Sequence, residues 1–167
     1  MGSRSIIAVA LALLCVLPAT VQATRLEETR QWSFPVGENP GFELENVNGD
    51  IRVESWDGSS IEVTARIRIK APSKSNARRL YEKIEFVIES DDSHASVRAV
   101  LPRIRQDEFV NFGLGEQTAV RIRYAVKVPR GTSLTVSTVN GDIELALPES
   151  SGVKVEAHST HGRVSRE

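Results

Sequence analysis

Apolar and polar residues alternate with a period of two along most of this chain. The longest run covers residues 61–70. Ile61, Val63, Ala65, Ile67 and Ile69 fall on one face, and Glu62, Thr64, Arg66, Arg68 and Lys70 on the other, because successive strand residues point to opposite sides. Residues 118–128 repeat the pattern, with Val120, Ile122, Tyr124, Val126 and Val128 facing a core and Arg121, Arg123 and Lys127 facing out. Shorter alternating runs predict strands at residues 42–45, 51–56, 85–89, 95–101, 134–137, 143–146 and 153–156. Trp32-Ser33-Phe34 predicts a first short strand with both aromatics on one side. Burial of Trp32 in a core or edge contact is preferred to its exposure as a sugar-binding face, since aromatics usually bury their large area.

One segment changes period. Pro72 ends the long strand, and Ser73 or Ser75 can cap a helix by accepting a backbone N–H. Ala77, Leu80, Tyr81 and Ile84 then follow at i, i+3, i+4 and i+7, while Arg78, Arg79, Glu82 and Lys83 lie off that stripe. The expected fold is therefore all-β, a solenoid-like or rolled sheet of short repeated strands with one inserted α-helix that covers a side or edge of the sheet.

The strands are punctuated by a repeat. Val47-Asn48-Gly49-Asp50-Ile51 recurs as Val139-Asn140-Gly141-Asp142-Ile143. Asn-Gly between alternating runs signals a hairpin or a corner, and a type I′ turn requires positive φ at both central residues. A looser third copy is Ser159-Thr160-His161-Gly162-Arg163-Val164, which matches residues 137–143 with one residue missing. Repeated turns between short strands point to stacked coils. Asn48, Asp50, Asn140 and Asp142 could instead lend oxygens to calcium. That ion takes six to eight oxygen ligands and each copy supplies only a few, so the turn reading is preferred and Asn48, Gly49, Asp50, Asn140, Gly141 and Asp142 are assigned as structural turns. No metal or other cofactor is expected.

Residues 1–23 read as an export signal. Arg4 supplies the positive start, residues 6–17 form an apolar stretch too short to cross a bilayer comfortably, and Val21-Gln22-Ala23 is a small-residue cleavage pattern. Cleavage is expected after Ala23. The single cysteine, Cys15, would leave with the signal, so no disulfide braces the remainder. Residues 24–41 are read as a lead-in segment and residues 42–167 as one β-rich domain. The whole chain carries a formal charge of −1, and loss of the signal removes one arginine and no acid. Such a balance does not suit a bulk nucleic-acid or anionic-membrane binder. The row Arg66, Arg68 and Lys70 is read as a solvated sheet face, with Glu85 and Glu89 as expected counter-charges, in preference to a basic binding stripe.

Residues 102–117 form the least regular internal stretch. Its Arg103, Arg105, Phe109 and Phe112, set among glycines, make it the candidate binding loop. His158 and His161 are three apart, which on a strand places them on opposite faces and away from shared metal ligation. The chain has no Gly-x-Ser-x-Gly elbow, no phosphate-cradling glycine loop and no His-Glu-x-x-His. It is not expected to be an enzyme.

Three segments carry a family resemblance: residues 44–53 with Trp56-Asp57-Gly58, residues 124–131, and residues 137–143. They resemble the bacterial toast-rack, or "putative adhesin", family of unknown function. The resemblance implies short strands stacked as a solenoid-like sheet, a place outside the cytoplasm, and adhesion-like or sensing roles at the cell envelope. It transfers no catalytic residue. Such domains usually continue through further glycine-centred repeats, so the last coil is expected to expose a strand edge. The first expectation is thus a periplasmic or secreted interaction module whose partner is an unidentified envelope component or protein, with no nucleic acid. The second is a structural protein that self-associates through its C-terminal edge. The third is a carbohydrate-active enzyme.

Overall fold

A computed structural model describes residues 24–102 and 118–166. The chain runs β1 (Thr24–Pro35), β2 (Gly41–Asn48), β3 (Ile51–Trp56), β4 (Ser60–Ala71), α1 (Lys74–Glu82), β5 (Glu85–Ser90), β6 (His94–Val100), β7 (Ala119–Pro129), β8 (Ser133–Asn140), β9 (Ile143–Ala146), β10 (Lys154–His161) and β11 (Val164–Arg166), with a 3-10 turn at Glu149–Ser151. The strands form two mixed sheets, ordered β1-β4-β7-β3-β9-β11 and β10-β8-β2-β6-β5, and no barrel closes.

The alternating faces fold as the sequence dictates. Ile61, Val63, Ala65, Ile67 and Ile69 on β4, and Ile122, Tyr124, Val126 and Val128 on β7, are all buried between the sheets. Each fully buried aliphatic side chain stabilises by roughly 1.5–3 kcal/mol before its lost entropy is set against it. Ser73 caps α1, its Oγ accepting the Asn76 N–H at 3.2 Å. The helix buries Ala77 and Leu80 in the common core against β1 and β4.

The lead-in segment is more ordered than its composition suggests. β1 pairs antiparallel with β4 from Thr24↔Ala71 to Pro35↔Ser60. Its inward Trp32 packs against Phe86 of the opposite sheet, ring centres 5.0 Å apart. Sequence inspection expected a strand only at Trp32–Phe34, because the charges at Arg25, Glu27, Glu28 and Arg30 hide the alternation. Two of them share the strand parity of Trp32 and Phe34 and are paired at the helix: Glu28 accepts from Arg78 at 3.2 Å, and the exposed Arg30 donates to the Tyr81 hydroxyl at 2.8 Å.

The rest of the architecture is parallel. β6, β2, β8 and β10 lie side by side in one sheet, all in the same direction. β7, β3, β9 and β11 do the same in the other. Consecutive strand pairs β2/β3, β8/β9 and β10/β11 therefore repeat one path from sheet to sheet. β6 and β7 take the same places one level earlier.

Candidate functional site

The repeated Asn-Gly segments are corners, not hairpins. β2 and β3 are not hydrogen-bonded to each other, and neither are β8 and β9. Among the described residues Asn39 is the only non-glycine with positive φ, so Asn48 and Asn140 do not adopt the type I′ geometry. Gly49 and Gly141 alone turn the chain, at φ 131° and 147°, a region that only glycine enters readily.

The corners stack. The Gly49 N–H donates to the Asn140 carbonyl at 2.7 Å, and the Gly141 N–H to the His161 carbonyl at 3.1 Å. The third copy fits without a gap. Ser159 lies opposite Thr138, and His161 opposite Asn140, so the one-residue deletion expected from sequence disappears once His158 is aligned with Ser137. Beneath the glycines runs a polar column that sequence reading missed. Buried Asn46 donates its amide to the Gly49 carbonyl at 3.0 Å and the Ile122 carbonyl at 2.9 Å. Thr138 donates to the same Gly49 carbonyl at 3.3 Å, and Ser159 to the Gly141 carbonyl at 2.8 Å. Asn, Thr and Ser three residues before each corner glycine were the available signal.

The turn oxygens and amides are committed to neighbouring coils. Asn48 Nδ2 donates to the Val120 carbonyl at 2.7 Å and Asn140 Nδ2 to the Val47 carbonyl at 3.5 Å. Asp50 accepts the Asp142 N–H at 3.4 Å and meets Arg123 at 3.1 Å. Asp142 accepts the Arg163 N–H at 2.8 Å. Among the described residues no group of three or more His, Cys, Asp or Glu is placed to hold a metal ion. His158 and His161 are exposed on the edge strand β10. Arg103, Arg105, Phe109 and Phe112 of the candidate loop, and the export signal at residues 1–23, lie outside the described residues.

Two surfaces remain. The first is the outer face of the six-stranded sheet. Arg66, Arg68 and Lys70 do not meet Glu85 or Glu89, which belong to β5 in the other sheet; Arg68 pairs instead with Glu27 at 2.7 Å. Sequence alone could not tell which strand β4 would have as its neighbour. The second is the last coil. Tyr124, Ile51, Ile143 and Val164 are successive members of one inward column. The first three are 2%, 1% and 0% exposed, but Val164 is 46% exposed. The apolar core thus opens at β10 and β11, whereas α1 packs into it against β1 and β4.

No protein-family model matches this chain, and no curated protein does. Solved structures show a distant similarity to it. One is named a "putative cell adhesion protein" from Clostridium sporogenes ATCC 15579, at 14% identity and a TM-score of 0.46, covering 86% of this chain and 61% of that one. A second is a "putative adhesin" from Parabacteroides merdae ATCC 43184, at 8% identity and a TM-score of 0.35, covering 79% and 44%. A third is a "putative lipid binding protein" from Parabacteroides distasonis ATCC 8503, at 11% identity and a TM-score of 0.32, covering 84% and 60%. This chain spans less than two thirds of each of those proteins. No helix among the described residues is long and apolar enough to cross a membrane.

Proposed function

We propose that this chain is a non-enzymatic, extracytoplasmic interaction module of the cell envelope. Its stacked coils form a short solenoid-like scaffold, and its broad sheet faces make the contacts. The observation that carries this reading is the fate of the repeated polar residues. The side chains of Asn46, Asn48, Asp50, Thr138, Asn140, Asp142 and Ser159 bind neighbouring backbone and tie adjacent coils into one frame. Adhesion-like or sensing work needs such a frame more than it needs a cleft. Export is supported by the apolar, arginine-headed residues 1–23. Expression in a bacterium, fractionation and intact-mass measurement test the placement. A periplasmic or secreted product beginning at Thr24 is expected; a cytoplasmic product with an intact N-terminus would overturn it.

A second reading, self-association through the last coil, has its own support. The inward column ends at half-exposed Val164, and β10 is an unpaired edge of regular strand. Solution mass across concentration tests it. An oligomer dispersed by Val164→Asp is expected under this reading, and a monomer at all concentrations removes it.

A further inference from the structure

The outer face of the six-stranded sheet divides into two halves. In one, charges alternate and cancel. Lys127 lies opposite Glu62 and 3.8 Å from Glu54, and Arg52 meets Glu144 at 2.6 Å. In the other, cations stand directly opposite cations on paired antiparallel strands: Arg25 against Lys70, Arg68 against Arg121, and Arg66 against Arg123. Among the described residues two carboxylates answer these six positive charges, Glu27 on Arg68 at 2.7 Å and Asp50 on Arg123 at 3.1 Å. Like charges directly opposite on a sheet oppose folding. The chain therefore tolerates in one half what it avoids in the other. An anion seated between the rows relieves that repulsion.

We propose that this cationic half-face binds an acidic polysaccharide, a glycan chain bearing carboxylate or sulfate groups along its length. Cations on a pleated face recur about 5–7 Å apart along and across the strands, which suits an extended polymer with repeated charges rather than a single small ion. Five of the six cations are arginine, whose planar fork pairs with oxyanions through two hydrogen bonds. The alternatives lack their anchors here. Bases need aromatic stacking partners, and the outward residues of β1, β4 and β7 include none. Insertion into a lipid surface or the centre of a protein interface calls for exposed large apolar side chains. Among the described residues these are Val47, Val100, Val139 and Val164, none of which is an outward residue of these three strands. This inference rests on the interaction-module reading for its biological setting but not for its physics, so fractionation and binding can fail separately.

The test is binding of the purified chain to oligogalacturonate at low and high salt, beside a neutral glycan, duplex DNA and vesicles containing phosphatidylglycerol. Salt-sensitive binding to oligogalacturonate alone is expected. The double variant Arg66→Thr/Arg121→Thr keeps strand propensity while removing one member of two opposed pairs. It should bind about tenfold or more weakly, with an unchanged or raised Tm showing that the fold survives. Lys154→Thr, a cation outside the face, should leave binding unchanged. Absence of oligogalacturonate binding at low salt, retention of affinity in the double variant, or equal affinity for DNA or vesicles would overturn the proposal.

Discussion

The Cα of Gly141 rests against the carbonyl of Gly49, and a methyl group added there would overlap that oxygen. The two residues are far apart in sequence, yet they fix how closely two coils can stack. Gly141 also has φ 147°, so alanine suffers twice, from its own backbone and from its neighbour. Gly141→Ala is expected to destabilise the fold by about 3 kcal/mol, read from urea unfolding. Gly162→Ala meets the same kind of obstacle at the Gly141 carbonyl. It should cost less, because the outermost coil can shift. Equal stability of wild type and Gly141→Ala would mean that the stacked corners do not hold the coils together.

Asn46 is the hinge between that corner and β7. Its amide donates to two carbonyls, and its oxygen accepts the Val47 N–H at 2.9 Å, all in a buried setting. Asn46→Ala leaves these groups unpaired and should cost about 2–3 kcal/mol. Asn46→Asp should cost more, since a carboxylate would face carbonyl oxygens. Chemical denaturation of the two variants beside wild type checks the order.

Tyr124 shows the opposite case. Its ring belongs to the core, but its hydroxyl is buried with no hydrogen-bond partner among the described residues. Tyr124→Phe removes that unpaired group and should stabilise by roughly 1 kcal/mol. Burial also raises the hydroxyl's pKa above its ordinary 10.0. A raised folded-state pKa gives stability that is complete below about pH 10 and is lost as pH climbs above it. The advantage of Tyr124→Phe should therefore widen in alkaline solution, which thermal melts across pH 8–11 would follow.

Asp91 ties the turn between β5 and β6. Its Oδ1 accepts from the Ser93 N–H at 2.7 Å, the Ser93 hydroxyl at 2.8 Å and the His94 N–H at 2.8 Å. These bonds, led by the Ser93 hydroxyl, hold its pKa below the ordinary 3.8. A depressed folded-state pKa contributes stability that is present above pH 3.8 and lost as pH falls through the lower value. Asp91→Ala should lower Tm at neutral pH, and the gap to wild type should close in strong acid. A gap that stays constant with pH would assign the loss to backbone effects alone.

Much of this could be read from residues in order. Strand faces on β4 and β7, the Ser73 cap and the glycine corners are local matters, decided by a period of two, a hydroxyl before a helix, and a backbone region closed to other residues. The lead-in strand was half hidden. Arg30 and Glu28 break the alternation, and α1, whose Tyr81 and Arg78 they bond, accounts for charges at these positions. The corner residues stand out in the sequence as a hairpin or a corner, and only the type I′ geometry that Asn-Gly favours is not adopted. Asn-Gly specifies that the chain turns and leaves open which strand comes next to it.

The β class, the place of the helix, the positions of the corners and the two faces of β4 and β7 are legible in the residues alone. All of these are set by interactions within a few residues. Tertiary structure decided the neighbours. It joined β2 to β8 and β6, put Gly49 beneath Gly141, set Arg66 against Arg123, and left Val164 at the open end of a core column. Parallel pairing between distant strands depends on burying both sheets' inner faces together, and no local pattern encodes which distant strand completes that burial.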